Sequence, residues 1–86
     1  MKGLNIDKIA QKELDRRDTV TRRRIVDGIM GLLKEPPEGD IKPLKGALQG
    51  LNRLRVGNWR ITYENTEEAI NVYEIAPRGG AYKKGV

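Results

Sequence analysis

The sequence predicts an α+β fold, with two N-terminal antiparallel helices packed on a small twisted antiparallel β-sheet. Two observations carry this expectation. Apolar residues recur at helical spacing through the first third of the chain, and from residue 51 onward they alternate with the period of two that strands require. No repeat or low-complexity segment divides the chain, and 86 residues fall short of two ordinary domains, so a single domain over residues 1–86 is expected.

The elements follow in order. Residues 2–6 offer a short first strand, a poor one because of Gly3 and Asn5. Asp7 can cap a first helix running to about Arg17, with Ile9, Ala10 and Leu14 on one face. Asp18 or Thr19 can cap a second helix, whose stripe of Ile25, Ile29, Leu32 and Leu33 stops at Glu35-Pro36-Pro37. Residues 36–50, rich in glycine and proline, read as a connection. Strands are expected over residues 51–56, 59–64 and 69–76.

Gly57-Asn58 is a two-residue turn of the type II′ class between the first two of these strands. Such a turn sets Val56 opposite Trp59, Arg55 opposite Arg60, Leu54 opposite Ile61, Arg53 opposite Thr62 and Asn52 opposite Tyr63. Side chains alternate along a strand, so Leu54, Val56, Trp59, Ile61 and Tyr63 share the core face, while Arg53, Arg55, Arg60 and Thr62 share the other. Like charges directly across a sheet are destabilising. Arg55 and Arg60 therefore need an anion or a carboxylate between them. Either the face is solvated with Glu64, Glu67 or Glu74 close by, or it is a phosphate cradle.

Charge distribution bears on that choice. The chain carries a net +5, and residues 41–60 hold Lys42, Lys45, Arg53, Arg55 and Arg60 with no acid, as residues 75–86 hold Arg78, Lys83 and Lys84 with none. What remains is net acidic. Two basic stretches meeting on such a body would form a concentrated site for phosphate. Absent cysteine excludes a disulfide framework and thiolate metal ligands, and absent histidine removes the commonest general base and zinc ligand. No cofactor or metal is implied. The N-terminal MKGLNIDKIAQKELDRR turns charged within a few residues and no long apolar run follows, so neither a leader nor a membrane span is expected and the location expected is cytoplasmic. Arg22, Arg23 and Arg24 read as a solvated helix face.

Taken together, LKGALQGLNRLRVGNWRITY at 44–63 and INVYEIAPRGGAY at 70–82 resemble the core signature of the RelE/ParE toxin superfamily. That signature has a Leu-Lys-Gly, a strand with a basic pair, Gly-x-aromatic-Arg, and an apolar strand leading to Arg and Tyr. The resemblance implies two helices on one side of a twisted sheet. For the RelE branch it further implies the toxin of a type II toxin–antitoxin system, an endoribonuclease that cuts messenger RNA in the ribosomal A site and is blocked by a cognate antitoxin in a hetero-oligomer. The alternative on the same fold is a ParE-like, non-catalytic poison of DNA gyrase; a nucleic-acid-binding module without activity is a third reading. Arg53 and Arg60 match strand positions around the scissile phosphate, Arg78 the arginine after the last strand, and Tyr82 the tyrosine that closes the site. Arg55 and Lys45 match further basic positions, and the family often has lysine where this chain has Arg53.

The chemistry implied is undemanding of the protein. RNA carries its own nucleophile, the 2′-hydroxyl, so the protein must align it and stabilise the charge of the phosphorane. Arginine's planar fork suits the second task but cannot accept a proton at neutral pH. Tyr82 is then the group expected near the 2′-hydroxyl, either assisting proton transfer or stacking on a base. Lys83 and Lys84 read as a tail that touches RNA or solvent. Gly79-Gly80 reads as a turn.

Overall fold

The computed structural model describes residues 2–78. Its elements are β1 (Gly3–Ile6), α1 (Lys8–Asp15), α2 (Thr19–Gly31), β2 (Asp40–Pro43), a 3-10 turn (Gly46–Leu48), β3 (Asn52–Val56), β4 (Trp59–Asn65) and β5 (Ala69–Pro77). The strands form one sheet in the order β1-β5-β4-β3-β2. Both helices cover one face of it, α1 against β5 and α2 against β3. The class is the α+β arrangement expected, with one correction. The sheet is mixed, because β1 pairs parallel with β5, while every other pairing is antiparallel. The parallel pair joins the first strand to the last, at one edge of the sheet, and a pairing between such distant segments is not revealed by an alternation pattern.

Each helix starts where its cap residue predicts. Asp7 Oδ2 accepts from Ile9 N at 3.2 Å and Asp18 Oδ2 from Thr21 N at 3.2 Å, satisfying amide groups that the first turn leaves without partners. Hydrogen bonds with Thr21 hold the Asp18 carboxyl below its ordinary value. Helix α2 ends earlier than the proline pair suggests, at Gly31. From Leu32 the bonds tighten, Leu32 N donating to Ile29 O and Leu33 N to Met30 O, and Glu38 N then reaches back to Gly31 O at 3.0 Å. Among the described residues, no helix is long and apolar enough to cross a membrane.

The core lies between the helices and the inner sheet face. Ala10, Leu14, Ile25, Ile29 and Leu32 meet Leu54, Ile61, Tyr63, Ile70, Val72 and Ile75, all buried. Gly28 lets α2 sit close on β3, since a Cβ there would lie 2.6 Å from Val56 Cγ2. Trp59 differs from expectation. It faces the core side but stays only partly buried at the rim, where the Arg17 guanidinium covers its ring at 4.9 Å from the centroid.

The β3–β4 register is the one the turn dictates, from Val56 opposite Trp59 to Asn52 opposite Tyr63. Gly57 has φ 58° and, among the described residues, no non-glycine residue has positive φ, so Asn58 has none, as a type II′ turn requires. Two features were not anticipated. Residues 40–43, expected to be part of a connection, form edge strand β2 against β3; only Ile41 of this strand packs against the core, and Pro43 is tolerated because an edge leaves its missing donor unneeded. A bulge interrupts the β4–β5 ladder, with Thr62 opposite Glu74 and Tyr63 opposite Val72, so that Tyr73 is the extra residue.

Candidate active site

The outer face of the sheet, opposite the helices, is built in cross-strand rows. One runs Asp40, Arg55, Arg60, Ala76, and the next runs Lys42, Arg53, Thr62, Glu74. Between β2 and β3 the chain closes on itself, Leu44 N donating to Leu51 O at 2.9 Å, and the segment so folded brings Lys45 to the same region. Among the described residues Lys42, Lys45, Arg53, Arg55 and Arg60, with the single carboxylate Asp40, line a cavity of about 540 Å³. Low-dielectric walls and five cations against one anion concentrate positive potential there.

Asp40 supplies a counter-charge to this face, flanking Arg55 on the side away from Arg60. Its Oδ2 is 3.1 Å from Arg55 Nε and its Oδ1 3.4 Å from Arg53 Nη2. The neighbouring carboxylates named from sequence play other parts. Glu64 Oε1 accepts from Tyr73 Oη at 2.9 Å and from Asn71 Nδ2 at 3.1 Å, and Asn71 Oδ1 accepts from Asn5 Nδ2 at 2.9 Å. The hydrogen bond to Glu64, ahead of burial, pushes the Tyr73 hydroxyl above its ordinary range. Glu67 is exposed in the turn before β5, and Glu74 is the cross-strand partner of Thr62.

The residues singled out from sequence divide into three groups. Lys45, Arg53, Arg55 and Arg60 come together around the cavity. Arg53 departs from the expected solvated position. It lies on the outer face yet is only 9% exposed, because β2 and the loop after it cover that part of the sheet. Arg78 is exposed just beyond β5, its amide bonded to Asn58 O at the β3–β4 turn, and is not among the cavity's lining. Tyr82, Lys83 and Lys84 lie outside the described residues, as does the Gly79-Gly80 pair. On α2, Arg23 and Arg24 are solvated as expected, whereas Arg22 Nη1 donates to Arg17 O at 3.1 Å and ties α2 to the turn that follows α1.

Asp40 was missed as a site residue, and Lys42 entered only as part of the basic stretch 41–60. The sequence signal of Asp40 is the pattern Asp-Ile-Lys-Pro, a single apolar residue between charged ones, which is too short to mark a strand without its partner.

A two-helix cover on one face of a five-stranded mixed sheet, with cations gathered on the other, defines the class: a small α+β protein with a basic sheet face. Within that class the fold is the RelE-like toxin fold. A chain of the RelBE2 toxin–antitoxin complex from Mycobacterium tuberculosis superposes with a TM-score of 0.76 at 20% identity, over 90% of this chain and 98% of that one. The RelB–RelE antitoxin–toxin complex from Methanococcus jannaschii matches with 0.73 at 26% identity, over 93% and 96%. A YoeB/ParE toxin from Agrobacterium tumefaciens matches with 0.72 at 22%, over 91% and 99%. No family model and no curated protein sequence matches the chain.

Proposed function

We propose that this chain is the toxin of a type II toxin–antitoxin system and acts as a ribosome-dependent, metal-independent endoribonuclease on messenger RNA. The observation that carries the reading is the cavity on the outer sheet face, where Lys45, Arg53, Arg55 and Arg60 converge on a RelE-like fold. A phosphodiester entering it meets guanidinium forks able to give paired hydrogen bonds to its oxygens.

In this reading Arg60 and Arg53 stabilise the phosphorane, Arg55 and Lys45 hold flanking phosphates, and Arg78 closes the site from the turn end of the sheet. Tyr82 stands near the 2′-hydroxyl, and Lys83 and Lys84 contact RNA. The 2′-oxygen attacks phosphorus as its proton leaves, the bond from phosphorus to the 5′-oxygen breaks, and that oxygen takes up a proton. The products carry a 2′,3′-cyclic phosphate and a 5′-hydroxyl. A cognate antitoxin partner is supported by the two similar structures that are toxin–antitoxin complexes. A small, partly acidic antitoxin complements the arginine face.

Primer extension of messenger RNA after induction, with end-group analysis of the fragments, tests the proposal. Cuts within translated messages ending in cyclic phosphate support it, as does rescue of growth by the coexpressed antitoxin. Fragments bearing a 5′-phosphate overturn the mechanism. Intact messages together with trapped gyrase–DNA cleavage complexes overturn the enzyme in favour of the gyrase poison.

A further inference from the structure

Among the described residues Asp40 is the one acid lining a cavity whose other charged groups are cations, and it enters from a strand that contributes a single core side chain. Its two oxygens reach two different arginines, Arg53 Nη2 at 3.4 Å and Arg55 Nε at 3.1 Å, as two non-bridging oxygens of a phosphodiester would. Arg53 is 9% exposed, and its Nε is buried with no hydrogen-bond partner among the described residues. An arginine so enclosed needs a counter-charge to stay charged and oriented. Arg55, half-exposed beside Arg60, needs one to keep from being driven off by its neighbour.

From this we infer that Asp40 is a positioning residue. It stands in for substrate, holding Arg53 and Arg55 in the arrangement that meets a phosphodiester, and its negative charge weakens the binding of that same phosphodiester. The inference rests on reading the cavity as the RNA site. It separates two quantities that a purely structural ion pair would move together. Neutralising Asp40 removes repulsion toward RNA, which raises affinity, and releases two arginines from alignment, which lowers the rate of the chemical step.

The test uses the full chain and its Asp40→Asn variant. Affinity is measured on a single-stranded RNA oligonucleotide carrying 2′-O-methyl groups, which cannot be cleaved, and rate is measured by single-turnover cleavage of messenger on programmed ribosomes. A unit charge close to a bound phosphate at a half-exposed site leads us to expect binding roughly three- to tenfold tighter in the variant. Cleavage should be slower by roughly ten- to a hundredfold, the scale of lost alignment. Affinity that is unchanged or weaker, or cleavage at the parental rate, overturns the inference. Should Asp40→Asn fail to melt cooperatively, Asp40→Glu carries the test by itself, since it keeps the charge and moves the carboxylate by one methylene. Parental affinity with slowed cleavage supports positioning, and parental values of both overturn it. A parent chain that does not cleave at all overturns the enzymatic reading, whereas a cleaving parent with an equally fast Asp40→Asn variant overturns only the role of Asp40.

Discussion

Asp40 on β2 and Arg55 on β3 are cross-strand partners, with Oδ2 of the one 3.1 Å from Nε of the other, and Arg55 in turn stands opposite Arg60. The row therefore reads carboxylate, guanidinium, guanidinium. One carboxylate offsets part of the repulsion between adjacent arginines and still leaves the row net positive.

Replacing Arg60 separates the site from the fold. The residue sits on the outer face, away from the hydrophobic cluster. Arg60→Ala should shift stability by about 1 kcal/mol or less, as a substitution outside the core does. Cleavage should fall by roughly 10² to 10³, the loss that follows removal of one preorganised donor to a developing oxyanion. Thermal melting and single-turnover cleavage on the same preparation check this, and a parental cleavage rate would remove Arg60 from the chemistry.

Gly28 poses helix propensity against packing. Alanine in a helix interior gains up to about 1 kcal/mol over glycine. Here its Cβ would lie 2.6 Å from Val56 Cγ2, a β-branched side chain with little room to turn, and overpacking of this kind costs about 1 to 3 kcal/mol. Gly28→Ala should therefore destabilise, and adding Val56→Ala should recover part of the loss. A denaturant-melt cycle over the two positions reads the coupling directly, and additive effects would show that the close approach does not matter.

Two residues of β4 should respond unequally to truncation. Ile61 is fully buried, so Ile61→Ala should cost about 2 to 5 kcal/mol. Trp59 is larger but lies at the rim beneath Arg17, so Trp59→Ala should cost less than the about 3 to 5 kcal/mol of a fully enclosed tryptophan. Arg17→Ala should cost about 0.5 to 1 kcal/mol through the lost cation–π contact and should blue- or red-shift the single tryptophan's emission. Unchanged emission would mean that Arg17 does not cover the ring in solution.

Alkaline stability should depend on the tyrosines. Burial raises the Tyr63 hydroxyl above its ordinary value of 10.0, and the bond to Glu64 raises Tyr73. A raised folded-state value means the native protein keeps a proton that the unfolded chain releases. The stabilisation is whole below about pH 10 and drains away as pH climbs through the folded-state values. Melting temperature followed from pH 8 to 12 should fall at the upper end, and less steeply in Tyr63→Phe. Parallel curves for parent and variant would assign the fall to other groups.

How far the sequence reached can be judged from single residues. Asp7 and Asp18 announce their helices because a cap is a local event, made by one side chain and an amide two or three positions on. The pairing of Arg55 with Arg60 was equally legible, since a two-residue turn admits one register and the alternation of Leu54, Val56, Trp59, Ile61 and Tyr63 says which face is inward. Asp40 was not legible. Its strand holds one core residue and is defined only by the partner it docks on, so no periodicity within the segment gives it away. The same is true of what depends on that docking: Arg53 belongs by alternation to the solvated face, and only β2 and the following loop, laid over it by the tertiary structure, enclose it. Tyr73 owes its place beside Glu64 to a bulge that shifts the β4–β5 ladder by one residue. Local periodicity and turn chemistry determined the hairpin and its arginine face, whereas the counter-charge, the burial and the bulge were decided by contacts between segments distant in sequence, whose energies no short window of residues contains.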